Sequence, residues 1–394
     1  MARPSLFQRF LPDGRLHLQE GPIDLVIEAF GAAAEVQRAY AAAAACFADV
    51  LPGLVAELAE LRKPVTEDSP GLQGPVARRM AAACRPHLAQ FVTPMAAVAG
   101  AVADHVLAAM TAAADLTRAY VNDGGDIALH LMPGERLACG MVARLHDPRL
   151  DGRAVIAAET PIRGIATSGR ATLGDGGRSF SLGIADAVTV FARSAAAADV
   201  AATLIANAVD LPGHPAVRRR PAREIDPESD LGARAVTVAV GELTPAEVEA
   251  ALRRGLTEAE AMRAAGLIEA AVLFLRGEAE IVGGSGLLPG HAALPKISDT
   301  RGAPSSHPRL SSRGQTLLHS HISLVHSGCH PGQASASECE PGSMAEAGRQ
   351  AQPWALGSSP RVTAEGWRRW CDHGGRRVNT SSSRPRGEKT WRSR

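Results

Sequence analysis

Three short stretches of the 394-residue chain combine carboxylates, hydroxyls and glycines at spacings that suit a phosphate-bearing ligand. The first is Asn122-Asp123-Gly124-Gly125-Asp126. Glycine reaches positive φ without strain, so its backbone N–H groups approach an anion closely. The same residues between apolar runs are also the chemistry of a plain hairpin turn. The second stretch is Gly164 to Arg170, where a short strand ends in Thr167-Ser168-Gly169. Two hydroxyls and a glycine at a strand end offer donors to phosphate oxygens, and Arg170 adds charge; the plainer reading is a polar turn. The third is Ser194 to Val209, in which Asp199 and Thr203 are four residues apart and share one helix face. A carboxylate and a hydroxyl so placed supply hard oxygens to Mg²⁺, which keeps its other positions for water and phosphate. The plainer reading is a Thr–Asp hydrogen bond on a solvated face.

These stretches need strands and helices to hold them. Alternation predicts strands at Arg15–Gln19 and Ile23–Phe30, then a long helical stretch from Ala32 to Arg62 interrupted at Pro52. Val76–Cys84 reads as a helix, Phe91 to Pro94 as a short strand, and Met95–Leu116 as a helix of small residues. Strands are expected at Tyr120–Asn122, Ile127–Met132, Arg136–Leu145, Ala154–Ala158, Gly164–Ala166 and Ala187–Ala192, followed by the helix from Ser194. A Pro/Arg-rich link leads to a strand at Ala235–Val240. Thr244, Pro245 and Glu247 form a capping box, and Thr257–Glu260 repeats the pattern. Leu267 to Leu275 closes the body as a buried strand or short helix. Grouped strands favour an α+β fold with a mixed or antiparallel sheet packed against helices. No GxGxxG or GxxxxGK[ST] is present, which removes the two commonest nucleotide fingerprints.

Composition divides the chain at Ser285. All eight phenylalanines precede it and all four tryptophans follow it. Before it stand 27 Lys+Arg against 34 Asp+Glu; after it, 15 against 7. Residues 1–284 therefore read as one folded domain. Residues 285–394 read as a low-complexity disordered tail with too little periodic apolar surface to offset ordering entropy. The abrupt change in usage is what a shifted reading frame would produce. The tail's charges are scattered, which argues against a nucleic-acid partner. His319, His321, His326, Cys329 and His330 are spaced too irregularly for a metal site. Cys46, Cys84 and Cys139 sit in apolar settings and read as buried thiols of a reducing compartment. No signal-peptide core opens the chain. The Ala-rich stretches 95–111 and 195–209 each carry an aspartate, so the expectation is a cytoplasmic protein with no membrane partner.

Taken in order, NDGGDI, GMVARLHDP, IATSG and DAVTVFARSAAAADVAAT resemble the ApbE-like superfamily, across roughly residues 12 to 284. Its best known members are Mg²⁺-dependent transferases that move FMN from FAD onto a threonine of a partner protein. The likeness is closest to a branch of uncharacterised proteins, a UPF family. GPIDLVIEA, TPMAAVAGAVAD and GRSFSLGIADAVTV look like signatures of that branch. The resemblance implies an FAD-type ligand held by Asn122, Gly124, Gly125, Asp126, Thr167, Ser168 and Gly169, with Mg²⁺ on Asp199 and Thr203. It also implies a protein acceptor if transfer occurs. Three departures set the chain apart from the transferases. Ala41–Ala45 and Leu51–Leu61 stand where they carry a serine-rich element; Ala99-Gly100 stands where they carry Lys-Gly; and Ser179–Ile184 replaces their His-Ile-x-Asp-Pro stretch. Chemistry and mere ligand binding remain two readings of the same site.

Overall fold

In the computed structural model, residues 6–69, 71–141, 152–169 and 180–284 are described, together with the backbone of 322–325. The chain opens with three strands, β1 (Phe7–Phe10), β2 (Leu16–Glu20) and β3 (Ile23–Phe30). In β3, Ile23, Leu25, Ile27 and Ala29 are buried while the residues between them are half-buried, the period-2 pattern of a sheet. Four helices follow: α1 (Ala33–Phe47), α2 (Val50–Ala56), α3 (Leu58–Leu61) and α4 (Pro75–Cys84). The break expected at Pro52 falls earlier, at Ala48-Asp49. Pro52 lies in the first turn of α2, where a backbone N–H has no intrahelical partner to lose.

Phe91 to Pro94 is not a strand. Thr93 leads into a 3₁₀ turn, Pro94–Ala97, and α5 (Val98–Ala113) starts after it. Then come β4 (Arg118–Asp123), β5 (Asp126–Leu131), β6 (Arg136–Met141), β7 (Gly152–Ala157), β8 (Gly164–Ser168) and β9 (Ala187–Ala192). The expected extension of β6 to Leu145 lies outside the described residues, as does Arg170. α6 (Ala195–Ala208) is capped by Ser194. The Arg-rich link holds β10 (Val217–Pro221) and α7 (Ala222–Ile225), and β10 pairs with β11 (Ala235–Val240).

α8 (Pro245–Ala264) opens on the complete capping box of Thr244 and Glu247. Thr257 does not start a second helix: its hydroxyl donates to the Arg253 carbonyl at 2.9 Å, so it sits inside α8. β12 (Ala270–Leu275) and β13 (Glu278–Gly283) finish the body.

Nine strands form one sheet in the order β1-β2-β3-β4-β5-β8-β9-β12-β13, and each neighbouring pair is antiparallel. The fold is α+β, as the grouped strands implied. One face carries the helices: Leu25, Ile27, Val121, Val190 and Leu273 meet Ala101, Val106, Ala198 and Ile205 in one core. The other face carries Tyr120, Ile127, Ile165, Phe191 and Val272, covered by Leu137, Cys139 and Ile156 of the β6–β7 hairpin. Ala33–Ala56 and Pro94–Ala113 are apolar and long enough to cross a bilayer, yet Ala39, Phe47, Val102 and Met110 lie in the core. β14 (Ile322–Val325) pairs antiparallel with β6, whose open edge offers unpaired backbone groups. The rest of the tail lies outside the described residues.

Candidate functional site

The β4–β5 hairpin pairs Asp123 with Asp126 and leaves Gly124-Gly125 as its two-residue loop. Both glycines have positive φ, +63° and +117°, as a type I′ turn requires. The Asn122 side chain accepts from the Gly125 N–H at 2.8 Å and locks the turn. Strand alternation then decides where the carboxylates go. Val121 and Ala128 belong to the helix-side core, so Asp123 and Asp126, two residues away on each strand, project toward the helices as well.

The end of β8 meets this hairpin from the side. Asp126 Oδ1 accepts from the Thr167 N–H at 3.3 Å. The Thr167 hydroxyl does not join it: it pairs with the Thr189 hydroxyl at 2.8 Å. Gly169 has φ +139°, and a Cβ there would fall 2.8 Å from the Asp186 carbonyl oxygen, so this turn admits only glycine. The Thr-Ser-Gly stretch thus contributes backbone to the carboxylate cluster, while its first hydroxyl holds β8 to β9.

α6 supplies the third wall. Asp199 is half-buried, and its Oδ2 accepts from the Gly100 N–H of α5 at 3.0 Å, with the Ala99 N–H also bonded to the carboxylate. The helix-surface Thr–Asp bond is absent: no hydrogen bond joins Asp199 to Thr203, which lies one turn further along the helix. Asp104 of α5 makes the reverse connection, accepting from the Ala195 and Ala196 N–H groups at 3.0 Å each. Glycines permit this contact. A Cβ on Gly100 would fall 2.3 Å from the Ala195 carbonyl oxygen, and one on Gly164 2.0 Å from the Ser194 carbonyl carbon.

The first four N–H groups of α6 are consequently all used. Ala195 and Ala196 bond Asp104, Ala197 bonds the Ser194 hydroxyl, and Ala198 bonds the Ser194 carbonyl. The start of α5 is filled too, since Val98 bonds the Met95 carbonyl and Ala99 and Gly100 bond Asp199. Neither helix N-terminus is open to a phosphate in this arrangement.

Burial and mutual repulsion raise the acids. Burial pushes Asp126 well above the usual carboxylate range, and the Asp199 and Asp123 charges push it further; the Thr167 N–H opposes them. Burial likewise raises Asp199 to about 7 against the pull of the Gly100 and Ala99 N–H groups, with Asp104 adding to the rise. Asp104 is raised by burial and steadied by the Ala196 and Ala195 N–H groups. Neither Asp126 nor Asp199 has an ion-pair partner among the described residues.

No group of three or more His, Cys, Asp or Glu is placed to hold a metal among those residues. At most two protein carboxylates would therefore share a cation here. That donor set fits Mg²⁺, which commonly binds one or two carboxylates and completes its shell with water and phosphate oxygens. A cavity lined by Cys46, Asp49, Val76, His105 and neighbours lies among α1, α2, α4 and α5 and includes none of the three stretches.

The fold brings together Asn122, Gly124, Gly125, Asp126, the Thr167 backbone and Asp199. Sequence reasoning gave no site role to Asp104, Ala99 or Gly100. The signal was a repeated spacing of four, Gly100 to Asp104 and Ala195 to Asp199.

A family described as AbpE bacteria matches residues 8–281 of the chain. A UPF0280 protein of Methanopyrus kandleri is 39% identical over 135 residues, 34% of this chain and 48% of that protein. One of Methanothrix thermoacetophila is 39% identical over 136 residues, 34% of this chain and 52% of its own length. One of Methanosphaerula palustris is 38% identical over 148 residues, with shares of 37% and 56%. The chain spans about half the length of these curated relatives.

Proposed function

The chain belongs to the AbpE bacteria family, and from that membership we propose that it is an ApbE-like protein binding a flavin dinucleotide or similar phosphate-rich ligand with a divalent cation. One observation carries the reading. Three segments distant in sequence place Asp126 and Asp199 within electrostatic reach, both raised by burial and repulsion, with no described cation beside them. Holding two half-buried carboxylates close together without a counter-charge is unfavourable, because each disfavours ionisation of the other. A bound cation and a ligand's phosphates offset that cost together, because each supplies what the other lacks.

In this reading Asp126 and Asp199 would hold Mg²⁺, with the Thr203 hydroxyl one turn from Asp199. When bound, Mg²⁺ would neutralise charge at the ligand's pyrophosphate. The chain's own residues do the positioning. Gly124 and Gly125 keep the hairpin tight enough for a ligand to approach the backbone. Ser168 places a hydroxyl at the end of β8. Asp104 and Gly100 fix the two helices against each other.

A binding role without chemistry is favoured by one specific feature. Ala99-Gly100 stands where the resemblance calls for Lys-Gly, and Asp199 fills that helix start. Calorimetric titration with FAD, with and without Mg²⁺, tests binding; chromatography of the same mixture for released AMP and protein-bound FMN tests transfer. Mg²⁺-dependent FAD binding is expected. Absence of FAD binding under both conditions overturns the proposal, and binding with no AMP release assigns the binding role.

A further inference from the structure

Asp104 lies outside the three stretches, yet two of the hydrogen bonds that join α5 to α6 run through it. Its two carboxylate oxygens accept from the Ala195 and Ala196 N–H groups, each at 3.0 Å. Asp199 returns the contact to the Gly100 N–H at 3.0 Å. Gly100 precedes Asp104 by four residues on α5, and Ala195 precedes Asp199 by four on α6. Four residues are about one helical turn, so each helix presents an amide and, one turn on, a carboxylate along the same face. The two helices therefore form a closed ring: the carboxylate of each holds the first turn of the other.

This ring has a mechanical consequence. α6 is a helix of 14 residues with Asp199 at its fifth position. Fixing Ala195 and Ala196 fixes the rotation and height of α6, and with them the direction in which the Asp199 carboxylate points. Gly100 has no side chain because the Ala195 carbonyl occupies that space, so the ring closes only at this short separation. Asp104 itself is engaged through both oxygens, which makes it a poor cation ligand and a good anchor. Asp199 lies within electrostatic reach of Asp126, whereas both oxygens of Asp104 face the α6 amides.

We propose that Asp104 is a positioning residue: by clamping the first turn of α6 it aims the Asp199 carboxylate at Asp126, so that the pair is preset for a divalent cation. The positioning of Asp199 stands on the ring alone; its use for a cation rests on the function proposed above.

Hydrogen exchange at single amides of the full chain, without added metal, tests the ring. In Asp104→Asn, Ala195 and Ala196 should lose protection, and so should Ala99 and Gly100, by tenfold or more, while the amides of β9 keep theirs. Wild-type protection at Ala99 and Gly100, with loss confined to Ala195 and Ala196, overturns the proposal, because Asp104 would then be a local cap. If Asp104→Asn fails to fold, Asp104→Glu keeps the charge on a longer arm. It should weaken all four amides together; weakening only Ala195 and Ala196 is again the overturning result.

The second arm uses Mg²⁺ with FAD present and reads the Mg²⁺ concentration that gives half the thermal stabilisation. That midpoint should rise at least tenfold in Asp104→Asn, with FAD affinity at saturating Mg²⁺ within twofold of wild type. An unchanged midpoint in a variant that has lost Gly100 protection overturns the preset cation pair. Wild type with no Mg²⁺ response refutes the cation reading separately and leaves the exchange result to decide the ring.

Discussion

Gly53 and Gly100 each lie inside a helix, and replacing them by alanine should move stability in opposite directions. Gly53 lies in α2, and a Cβ there meets nothing within 4 Å. Alanine at this position removes glycine's entropic cost and should stabilise by about 0.5–1 kcal/mol. Gly100 lies in α5, but its Cβ would stand 2.3 Å from the Ala195 carbonyl oxygen, 2.4 Å from that carbonyl carbon and 2.7 Å from the Ala196 nitrogen. These are backbone atoms held by Asp104, so no side-chain rotation relieves the clash. Overpacking of this kind costs about 1–3 kcal/mol. Pushing α6 away also weakens at least one charge-assisted bond of the ring, worth about 1.5–3 kcal/mol. Against these stands the helix propensity gain of about 1 kcal/mol. The net expectation for Gly100→Ala is a loss of about 3 kcal/mol, or roughly 5–10 °C in melting temperature for a domain of this size. Thermal and urea unfolding of the two variants beside wild type measure it. A Gly100→Ala protein that melts at or above wild type would refute the close approach of α5 to α6, and with it the shape given to the site.

Stability should fall as pH rises from about 4 to about 7. Asp199 and Asp126 are raised in the fold, so the folded state binds more protons than the unfolded chain in that window. Asp199→Asn should flatten the slope in a pH series of melting curves, and an unchanged slope counts against the burial of that carboxyl. Gly124→Val should cost about 1–2 kcal/mol through its positive φ and weaken FAD binding, whereas Gly124→Asn, which tolerates that conformation, should stay near wild type in both. Thr244→Ala should lose about 1 kcal/mol by deleting one half of the capping box, read by urea unfolding. A chain ending at Gly284 should still unfold cooperatively, because it gives up only β14 at the rim of the small sheet among the described elements; aggregation of that truncation would assign the tail a larger share of the fold.

What the sequence made legible follows from which interactions are local. β3 and the Thr244 cap were readable because alternation and capping chemistry act within a few residues, and β9 and β11 because each is a short β-branched apolar run. β10 was hidden because Arg218, Arg219 and Arg220 read as a charged link, and only its pairing with β11 makes it a strand. Thr257 carried a start signal that the helix overrode by taking its hydroxyl back to Arg253. At the site, the hairpin and the Asp199 helix were visible, since each is a local motif. Their meeting was not, because Asp126 reaches Thr167 across 41 residues and Asp199 reaches Gly100 across 99. Asp104 was legible as a residue and illegible as an anchor for the same reason: its partners lie on another helix.

The central claim is that Asp126 and Asp199 form one site for a divalent cation and a phosphate-rich ligand. Its most direct measurement is a Mg²⁺ titration of thermal stability with FAD present, run on wild type, Asp126→Asn and Asp199→Asn. Each substitution nearly preserves volume while removing one charge, so the comparison isolates what the carboxylate's charge contributes. The account predicts a Mg²⁺-dependent rise in melting temperature for wild type that both variants lose. The same Mg²⁺ response in all three proteins would contradict it.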